Sequence, residues 1–120
     1  MRDFKFRLWD DNAKRWISRG ESVEVAFSQL FPESIKAEAN FYLEQYTGFK
    51  DQNGREIYEG DIIWFFGTHL AVIWSQDEAK FDLMNKDFRV GTFVFNKNTV
   101  QHIEIIGNIH ENLELLEAKL

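Results

Sequence analysis

Three carboxylates stand close together in the middle of the chain, at Glu56, Glu59 and Asp61. Oxygen ligands at this spacing can hold a divalent cation, and neighbouring carboxylates can act as general acid and general base. Glu59 and Asp61 also flank Gly60 at a predicted corner, where carboxylates accept hydrogen bonds from otherwise unpaired backbone N–H groups. Because the corner accounts for these residue types, we favour the structural role over a metal or acid–base site.

The other residue types that perform catalysis are not arranged for it. The three histidines, His69, His102 and His110, lack the spacing of a metal-binding motif, so a site would have to be assembled by folding or across subunits. No serine lies in a G-x-S-x-G turn, and the glycines of residues 45–63 are not spaced as in a phosphate-binding loop. The chain has no cysteine, which excludes disulfides, thiolate metal sites and cysteine nucleophiles. We therefore predict no catalytic residue, no metal site and no cofactor, in a protein that is not an enzyme.

A basic and aromatic stretch near the N-terminus is the best candidate for a binding site. The residues that could contact a polyanion or a protein partner are Arg7, Trp9, Lys14, Arg15, Trp16 and Arg19. Basic side chains neutralise phosphates, and an indole ring can stack on a base. The alternative is a solvated strand face on which the indole rings pack under the arginine stems. We favour the alternative, because the net charge of -6 opposes long-range attraction to nucleic acid.

The charges are distributed unevenly along the chain. The first 20 residues contain six basic and three acidic side chains, whereas the remaining hundred contain eight basic and seventeen acidic ones. A basic N-terminal segment on an acidic body is compatible with a local polyanion site. It is equally compatible with subunits that meet through opposite charges.

The aromatic content favours strands and an exposed contact surface. Phe, Trp and Tyr make up 16% of the residues, more than one small core readily buries. We therefore predict a homo-oligomer or a complex with another protein, in which the N-terminal hairpin takes part. Nucleic acid is a less favoured partner. No apolar segment has the length of a membrane span and the N-terminus does not resemble a signal peptide, so we expect a cytoplasmic protein without membrane contact.

The chain is organised around residues 45–63. Within this stretch, residues 51–54 predict a hairpin turn, because Asn and Gly accept positive φ at little cost. A second corner at Gly60 leads into an apolar run at 62–66, which we expect to be covered on both sides. The residues of this turn signature are Gly48, Asn53, Gly54, Gly60 and Asp61.

Alternation of apolar and polar residues predicts about eight short strands, two of them at 92–95 and 100–106. Residues 4–9 and 15–18 predict an N-terminal hairpin, and the aromatic residues of 40–46 favour a strand there over a helix. Leu113 and Leu116 have the spacing of a terminal helical turn.

The predicted fold is mainly β: a small barrel-like antiparallel sheet with an N-terminal β-hairpin and a short C-terminal helical turn. Neither an internal repeat nor a low-complexity linker interrupts the chain. We predict a single domain over residues 1–120, made up of the hairpin at 1–20, a variable connector at 21–39 and a barrel core at 40–112.

Four stretches of the chain form a recognisable set: FKFRLWD at 4–10, QYTGFKDQNGREIYEGDI at 45–62, IIGNIHEN at 105–112 and LL at 115–116. They resemble the motifs of the YopX family, whose members occur in phages and prophages. The order and spacing of the family's motifs are kept over nearly the whole chain. The departures are mild, since Phe49, His110 and Leu113 replace the Leu, Tyr and Pro that are usual in the family. The resemblance implies a phage-derived, β-rich intracellular protein and supplies no biochemical activity.

Two expectations about function follow. The first is a non-enzymatic accessory protein of a phage or prophage, in the cytoplasm of the bacterial host, that binds a protein or associates with itself. The second is a nucleic-acid-binding β-barrel module that uses the basic aromatic hairpin. Small barrels carry many unrelated functions, so the fold does not decide between the two.

Overall fold

The structure, a computed structural model, describes residues 4–17, 41–87 and 93–117, and these residues are mostly in strands. The strands are β1 (Phe6–Asp10), β2 (Arg15–Ile17), β3 (Phe41–Lys50), β4 (Glu56–Tyr58), β5 (Asp61–Phe65), β6 (Thr68–Ser75), β7 (Lys80–Met84) and β8 (Ile103–Asn108). They form two antiparallel sheets, one of which curls into a half-barrel, so the predicted barrel-like β fold is confirmed. Within the described ranges the only helical segments are two 3₁₀ turns, Val100–His102 and Leu113–Leu116.

The chain divides into two compact units. Unit 1 comprises Met1–Lys5 and Gln45–Leu120, and unit 2 comprises Phe6–Glu44. Strand β3 supplies its first four residues to unit 2 and the rest to unit 1. The predicted connector at 21–39 and the position of Arg19 lie outside the described residues.

Unit 2 contains the N-terminal hairpin that the alternating pattern predicted. Strands β1 and β2 pair antiparallel with Leu8 opposite Ile17, Trp9 opposite Trp16 and Asp10 opposite Arg15. On its other side, β1 is the neighbour of β3. In the turn that closes the hairpin, Asp10 Oδ1 accepts hydrogen bonds from the backbone N–H groups of Asn12 and Ala13. Short acidic side chains commonly stabilise turns in this way.

Unit 1 is built on a sheet with the strand order β7-β6-β5-β8. The β5–β6 connection is a two-residue turn between Phe65 and Thr68, and Phe66 and Gly67 both have positive φ, at 48° and 81°. Positive φ at both central positions is typical of a type I′ turn, whose backbone twist matches that of the two strands it joins. An aromatic residue such as Phe66 is unusual at such a position. Strand β4 pairs with β3 in the same unit.

Two apolar clusters form the core of unit 1. The larger contains Ile57, Ile63, Val72, Leu83, Phe93, Val100, Ile103 and Ile105, and the smaller contains Ile62, Ala71 and Leu116. The 3₁₀ turn of Leu113–Leu116 therefore has a packing role, because it inserts Leu116 against β5 and β6. The predicted C-terminal helical turn is confirmed as this single 3₁₀ turn.

The expectation that residues 62–66 are covered on both sides is wrong for the second half of the run. Ile62 and Ile63 are fully buried, but Trp64 is 37% exposed and Phe66 lies beyond the end of β5 with its ring exposed. An apolar run does not by itself reveal where a strand leaves the core. Here β5 ends at Phe65 because the chain turns into β6.

Two further elements differ from the sequence-based expectation. Residues 100–102 form a 3₁₀ turn ahead of β8, so the strand predicted from residue 100 begins at Ile103. Residues 93–95, predicted as strand, lie outside any strand. Within the described ranges, no helix has the length and apolar character needed to cross a membrane.

Candidate functional site

Three of the contact residues predicted for the N-terminal hairpin, Arg7, Trp9 and Trp16, form a compact cluster in unit 2. The rings of Trp9 and Trp16 meet edge to face, with centroids 4.9 Å apart. The Arg7 guanidinium lies 4.4 Å from the centroid of the Trp16 ring, and Arg7 Nε donates to Oε1 of Glu44 at 3.0 Å. Side chains alternate along a strand, so these contacts put all four residues on one face, the Arg7 face.

The positive charge of Arg7 is used inside unit 2. Glu44 is buried, and its carboxylate accepts the charge-assisted hydrogen bond from Arg7. A buried carboxylate without a counter-ion is costly, so Arg7 acts first as a structural residue. Trp9 is also buried, and its Nε1 donates to Oδ1 of Asp11 at 3.1 Å. In this arrangement the Trp9 ring is not exposed for stacking on a base.

The hairpin turn carries the remaining basic residues of the candidate site. Lys14 Nζ contacts Asp11 Oδ1 at 2.8 Å, and the Lys14 backbone has a φ of 54°. Arg15 is exposed beside the half-buried Trp16. The described part of unit 2 contains three basic side chains, Arg7, Lys14 and Arg15, and three acidic ones, Asp10, Asp11 and Glu44.

The opposite face of the hairpin is apolar away from the turn, next to which the register puts Asp10 and Arg15 on this face. Because Arg7 and Glu44 share one face, alternation places Phe6, Leu8 and Leu43 on the other, and Ile17 joins them opposite Leu8. We call these four residues the Phe6 face. Leu8 is buried, but Phe6 is 46% exposed and Leu43 is 37% exposed. Unit 2 thus presents two large apolar side chains to solvent on one side.

The three carboxylates of the central stretch have separate structural contacts. Glu56 Oε2 contacts Lys5 Nζ at 2.6 Å, and Glu59 Oε1 accepts from the Gln45 N–H at 3.4 Å. The buried Asp61 accepts from the Tyr58 N–H at 2.8 Å through Oδ2. Within residues 4–17, 41–87 and 93–117, no three His, Cys, Asp or Glu side chains are grouped so that they could hold a metal ion.

Gly60 is the buried centre of the corner between β4 and β5. Its φ is +88°, which glycine adopts without the steric cost that a Cβ brings. Its N–H donates to Val72 O at 2.8 Å, and its carbonyl accepts from the Ile109 N–H at 2.9 Å. Gly48 and Gly54 also have positive φ, at 91° and 80°.

Asp51 is a structural carboxylate that sequence reasoning missed. Its Oδ1 accepts from the N–H groups of Asn53 and Arg55, both at 2.9 Å. Its Oδ2 accepts from the Ile105 N–H at 3.0 Å, across a long stretch of sequence. The two local bonds are typical of an Asp that opens a turn, but nothing local signals the bond to β8.

Each of the three histidines contacts a different part of unit 1. His69 Nδ1 is 2.7 Å from Leu115 O, which ties the start of β6 to the second 3₁₀ turn. The His102 ring lies 4.8 Å from the Phe66 ring, at the exposed end of β5. The N–H of His110 donates to Asn108 Oδ1 at 3.0 Å.

An aromatic cavity of about 300 Å³ opens in unit 1, and the sequence analysis did not predict it as a site. Five of its lining residues are aromatic, and the full set is Thr47, Phe49, Trp74, Ala79, Lys80, Phe81, Phe93, Val94 and Phe95. The only sequence signal is the aromatic surplus, with Phe93 and Phe95 two positions apart. Because the lining comes from distant segments, only the fold brings it together.

Comparisons with known proteins give a family and a fold. The model of the YopX protein family matches residues 5–117. Among solved structures, the chain is similar to the crystal structure of protein EF1440 from Enterococcus faecalis, with 22% sequence identity and a TM-score of 0.65. That similarity covers 97% of this chain and 99% of the other. No curated protein matches the chain.

Proposed function

The chain belongs to the YopX protein family, and from this premise we propose that it is a non-enzymatic binding module that works through protein–protein contacts. The first partner is a second copy of the same chain, which makes the protein a homo-oligomer. The resemblance to phage and prophage proteins extends the proposal to an accessory role in the cytoplasm of a bacterial host.

The observation that carries the proposal is the exposed Phe6 face of unit 2. Phe6 and Leu43 lie on the same side of neighbouring strands with 46% and 37% of their surface exposed. Exposed apolar side chains grouped on one face are typical of surfaces that bind protein. Shielding such a face from water stabilises a complex in proportion to the apolar area buried.

The Arg7 face supports a protein partner over a polyanion. Counterion release needs basic groups that can neutralise phosphates. Arg7 contacts Glu44, Lys14 contacts Asp11, and the described part of unit 2 is balanced in charge. These contacts favour the interpretation in which the indole rings pack against arginine as structure.

Co-expression of tagged and untagged copies in bacterial cells tests the proposal. We expect the tagged protein to capture the untagged one, with or without nuclease treatment. Phe6→Ser with Leu43→Ser reduces capture, whereas Phe66→Ser, which changes an exposed Phe of unit 1, leaves it unchanged. Capture that disappears with nuclease, or that is equal in all three proteins, would contradict contact through the Phe6 face.

The alternative is a nucleic-acid-binding module centred on Arg15. Arg15 is exposed on β2, and the half-buried Trp16 follows it on the opposite face of the strand, so a phosphate contact and a stacking ring lie on the same strand. A labelled oligonucleotide should then bind with an affinity that falls as salt rises. Lys14→Glu with Arg15→Glu removes two exposed cations and keeps the pair of Arg7 and Glu44 intact. Binding that the double variant leaves unchanged rejects the alternative.

A further inference from the structure

The aromatic cavity of unit 1 has the size of a small-ligand site. Its volume of about 300 Å³ is at the lower end of the range for ligand pockets, and twice the size of an apolar cavity that holds benzene. Trp74 is 40% exposed and Val94 is exposed as well, so the cavity has a mouth that reaches solvent.

The walls present aromatic faces and edges. Trp74 meets Phe81 at an interplanar angle of 73°, and Phe93 meets Phe95 at 79°. Phe49 stacks on Phe95 with centroids 6.0 Å apart. A further ring that enters between such walls can make stacked and edge-to-face contacts together, which is the arrangement that aromatic groups prefer.

These walls are anchored to the sheet. Trp74 and Phe81 face each other across β6 and β7, and Phe49 lies on β3. Phe93 belongs to the buried core, against which Phe49, Phe81 and Phe95 pack. A site held by strands and by the core is preorganised, so little conformational freedom is lost when a ligand binds.

The polar groups in the lining are already satisfied by the protein. The Thr47 hydroxyl donates to Ile57 O at 2.8 Å and accepts from the Phe49 N–H at 3.2 Å. Lys80 Nζ donates to Phe93 O at 3.3 Å. The cavity therefore offers a ligand aromatic surface rather than hydrogen bonds that select a polar compound.

The charge near Lys80 disfavours both anions and cations. The ammonium lies 3.3 Å from Glu78 Oε2 and 3.7 Å from Asp82 Oδ2, so two carboxylates already compensate it and an anion gains little. A cation would be repelled by the Lys80 ammonium, which lines the cavity, whereas Glu78 and Asp82 do not line it. The lining and its charges together select an uncharged ligand.

We propose that this cavity is a binding site for a small, planar, uncharged aromatic compound of about two fused rings, the size class of indole. The site lies wholly in unit 1 and does not depend on the protein contact proposed for unit 2. Filling the cavity restores dispersion contacts that its lining otherwise lacks, and the bound state is more stable than the empty one.

Methyl signals in a ¹H–¹³C spectrum test the site, with indole as the ligand. We expect indole to shift the methyl signals of Ala79 and Val94, which line the cavity, and to leave that of Ala13 in the hairpin turn unchanged. The anion indole-3-acetate and the cation tryptamine should bind at least about tenfold more weakly. Absence of shifts at Ala79 and Val94 up to the solubility of indole overturns the proposal, as does equal binding of the charged compounds.

Two tryptophans provide a matched pair of variants. Trp74→Ala removes a wall of the cavity, and Trp64→Ala removes a Trp of similar exposure that does not line it. We expect the Kd for indole to rise about tenfold or more in the first and to stay unchanged in the second. Equal effects would contradict the site.

If Trp74→Ala does not fold, a variant that narrows the mouth of the cavity tests the site instead. Val94→Trp enlarges an exposed side chain at the entrance and leaves the walls in place. We expect this variant to fold and to lose the indole-dependent shift of the Ala79 methyl signal. An unchanged shift would overturn the assignment of the cavity as the site.

Discussion

At the scale of single residues, Asp51 has the widest structural effect. One carboxylate joins three N–H groups, two in its own turn and one on β8. The turn itself could be predicted, because Asp, Asn and Gly determine backbone conformation locally. The bond to Ile105 could not, since hydrogen-bond partners far apart in sequence become neighbours only in the folded chain.

Replacing Asp51 by Asn should destabilise unit 1 by about 2–3 kcal/mol. The two carboxylate oxygens of Asp51 accept hydrogen bonds from three N–H groups, whereas the amide of Asn has a single acceptor oxygen. The amide NH₂ group would also face backbone N–H groups. Urea unfolding followed by tryptophan fluorescence measures the change. Asp77→Asn, in an exposed loop, is the control and should alter the midpoint little. Equal midpoints for the two variants would contradict this role.

Gly107 is required because of its close neighbour Asn112. A Cβ at Gly107 would lie 2.5 Å from Asn112 Oδ1 and 2.8 Å from Asn112 Cβ. We expect Gly107→Ala to cost about 1–3 kcal/mol in the free energy of unfolding, as overpacking does.

A double-mutant cycle checks this explanation. Asn112→Gly removes the atoms with which the new Cβ would collide. In that background Gly107→Ala should cost at least about 0.5 kcal/mol less than in the natural chain. Additive effects would mean that Asn112 is not the cause.

At the scale of elements, the hairpin depends on the pair formed by Arg7 and Glu44. Arg7→Met leaves the buried carboxylate without this counter-ion and should cost about 3–5 kcal/mol in the free energy of unfolding. The double variant Arg7→Met with Glu44→Met removes both charges and should lose less than the single variant. Urea unfolding of the three proteins measures this, and a double variant that loses more would refute it.

The outer edge of β8 is covered by the turn at 51–55. Gln52 donates to Ile103 O at 3.0 Å, Asp51 accepts from Ile105 N, and Arg55 Nη1 donates to Ile105 O at 3.4 Å. The turn and its side chains thus form hydrogen bonds with the backbone N–H and C=O groups of β8. An uncovered edge strand presents such groups to another chain. The central stretch of the sequence therefore has an architectural role as a cover for this strand.

Hydrogen exchange should report this cover. We expect the Ile105 amide to be protected nearly as well as that of Ile63 on the central strand β5, because both donate within the fold. In Asp51→Asn, the protection of Ile105 should fall further than that of Ile63. Fast exchange of Ile105 in the natural chain would contradict the cover.

The alternation of apolar and polar residues predicts some features of the strands but not all of them. The N-terminal hairpin and the strand at β3 follow from alternation and aromatic content, and both are confirmed. The exposed end of the run at 62–66 could not be predicted in this way, because apolar residues also stay at the surface where a turn places them.

At the scale of the whole molecule, the YopX family assignment and the mainly β fold agree with the expectations drawn from the sequence. The aromatic cavity and the internal pairing of Arg7 were not predictable, because each joins residues that only the folded chain brings together. The functional proposals rest on these two arrangements and on the exposed Phe6 face.

The most direct test of the proposed function is the mass of the protein in solution, measured by light scattering at micromolar concentration. We expect a multiple of the 14.3 kDa chain, and a return to 14.3 kDa when Phe6 and Leu43 are both replaced by Ser. Phe66→Ser should keep the oligomer. A natural chain that is monomeric under these conditions would contradict self-association through the Phe6 face.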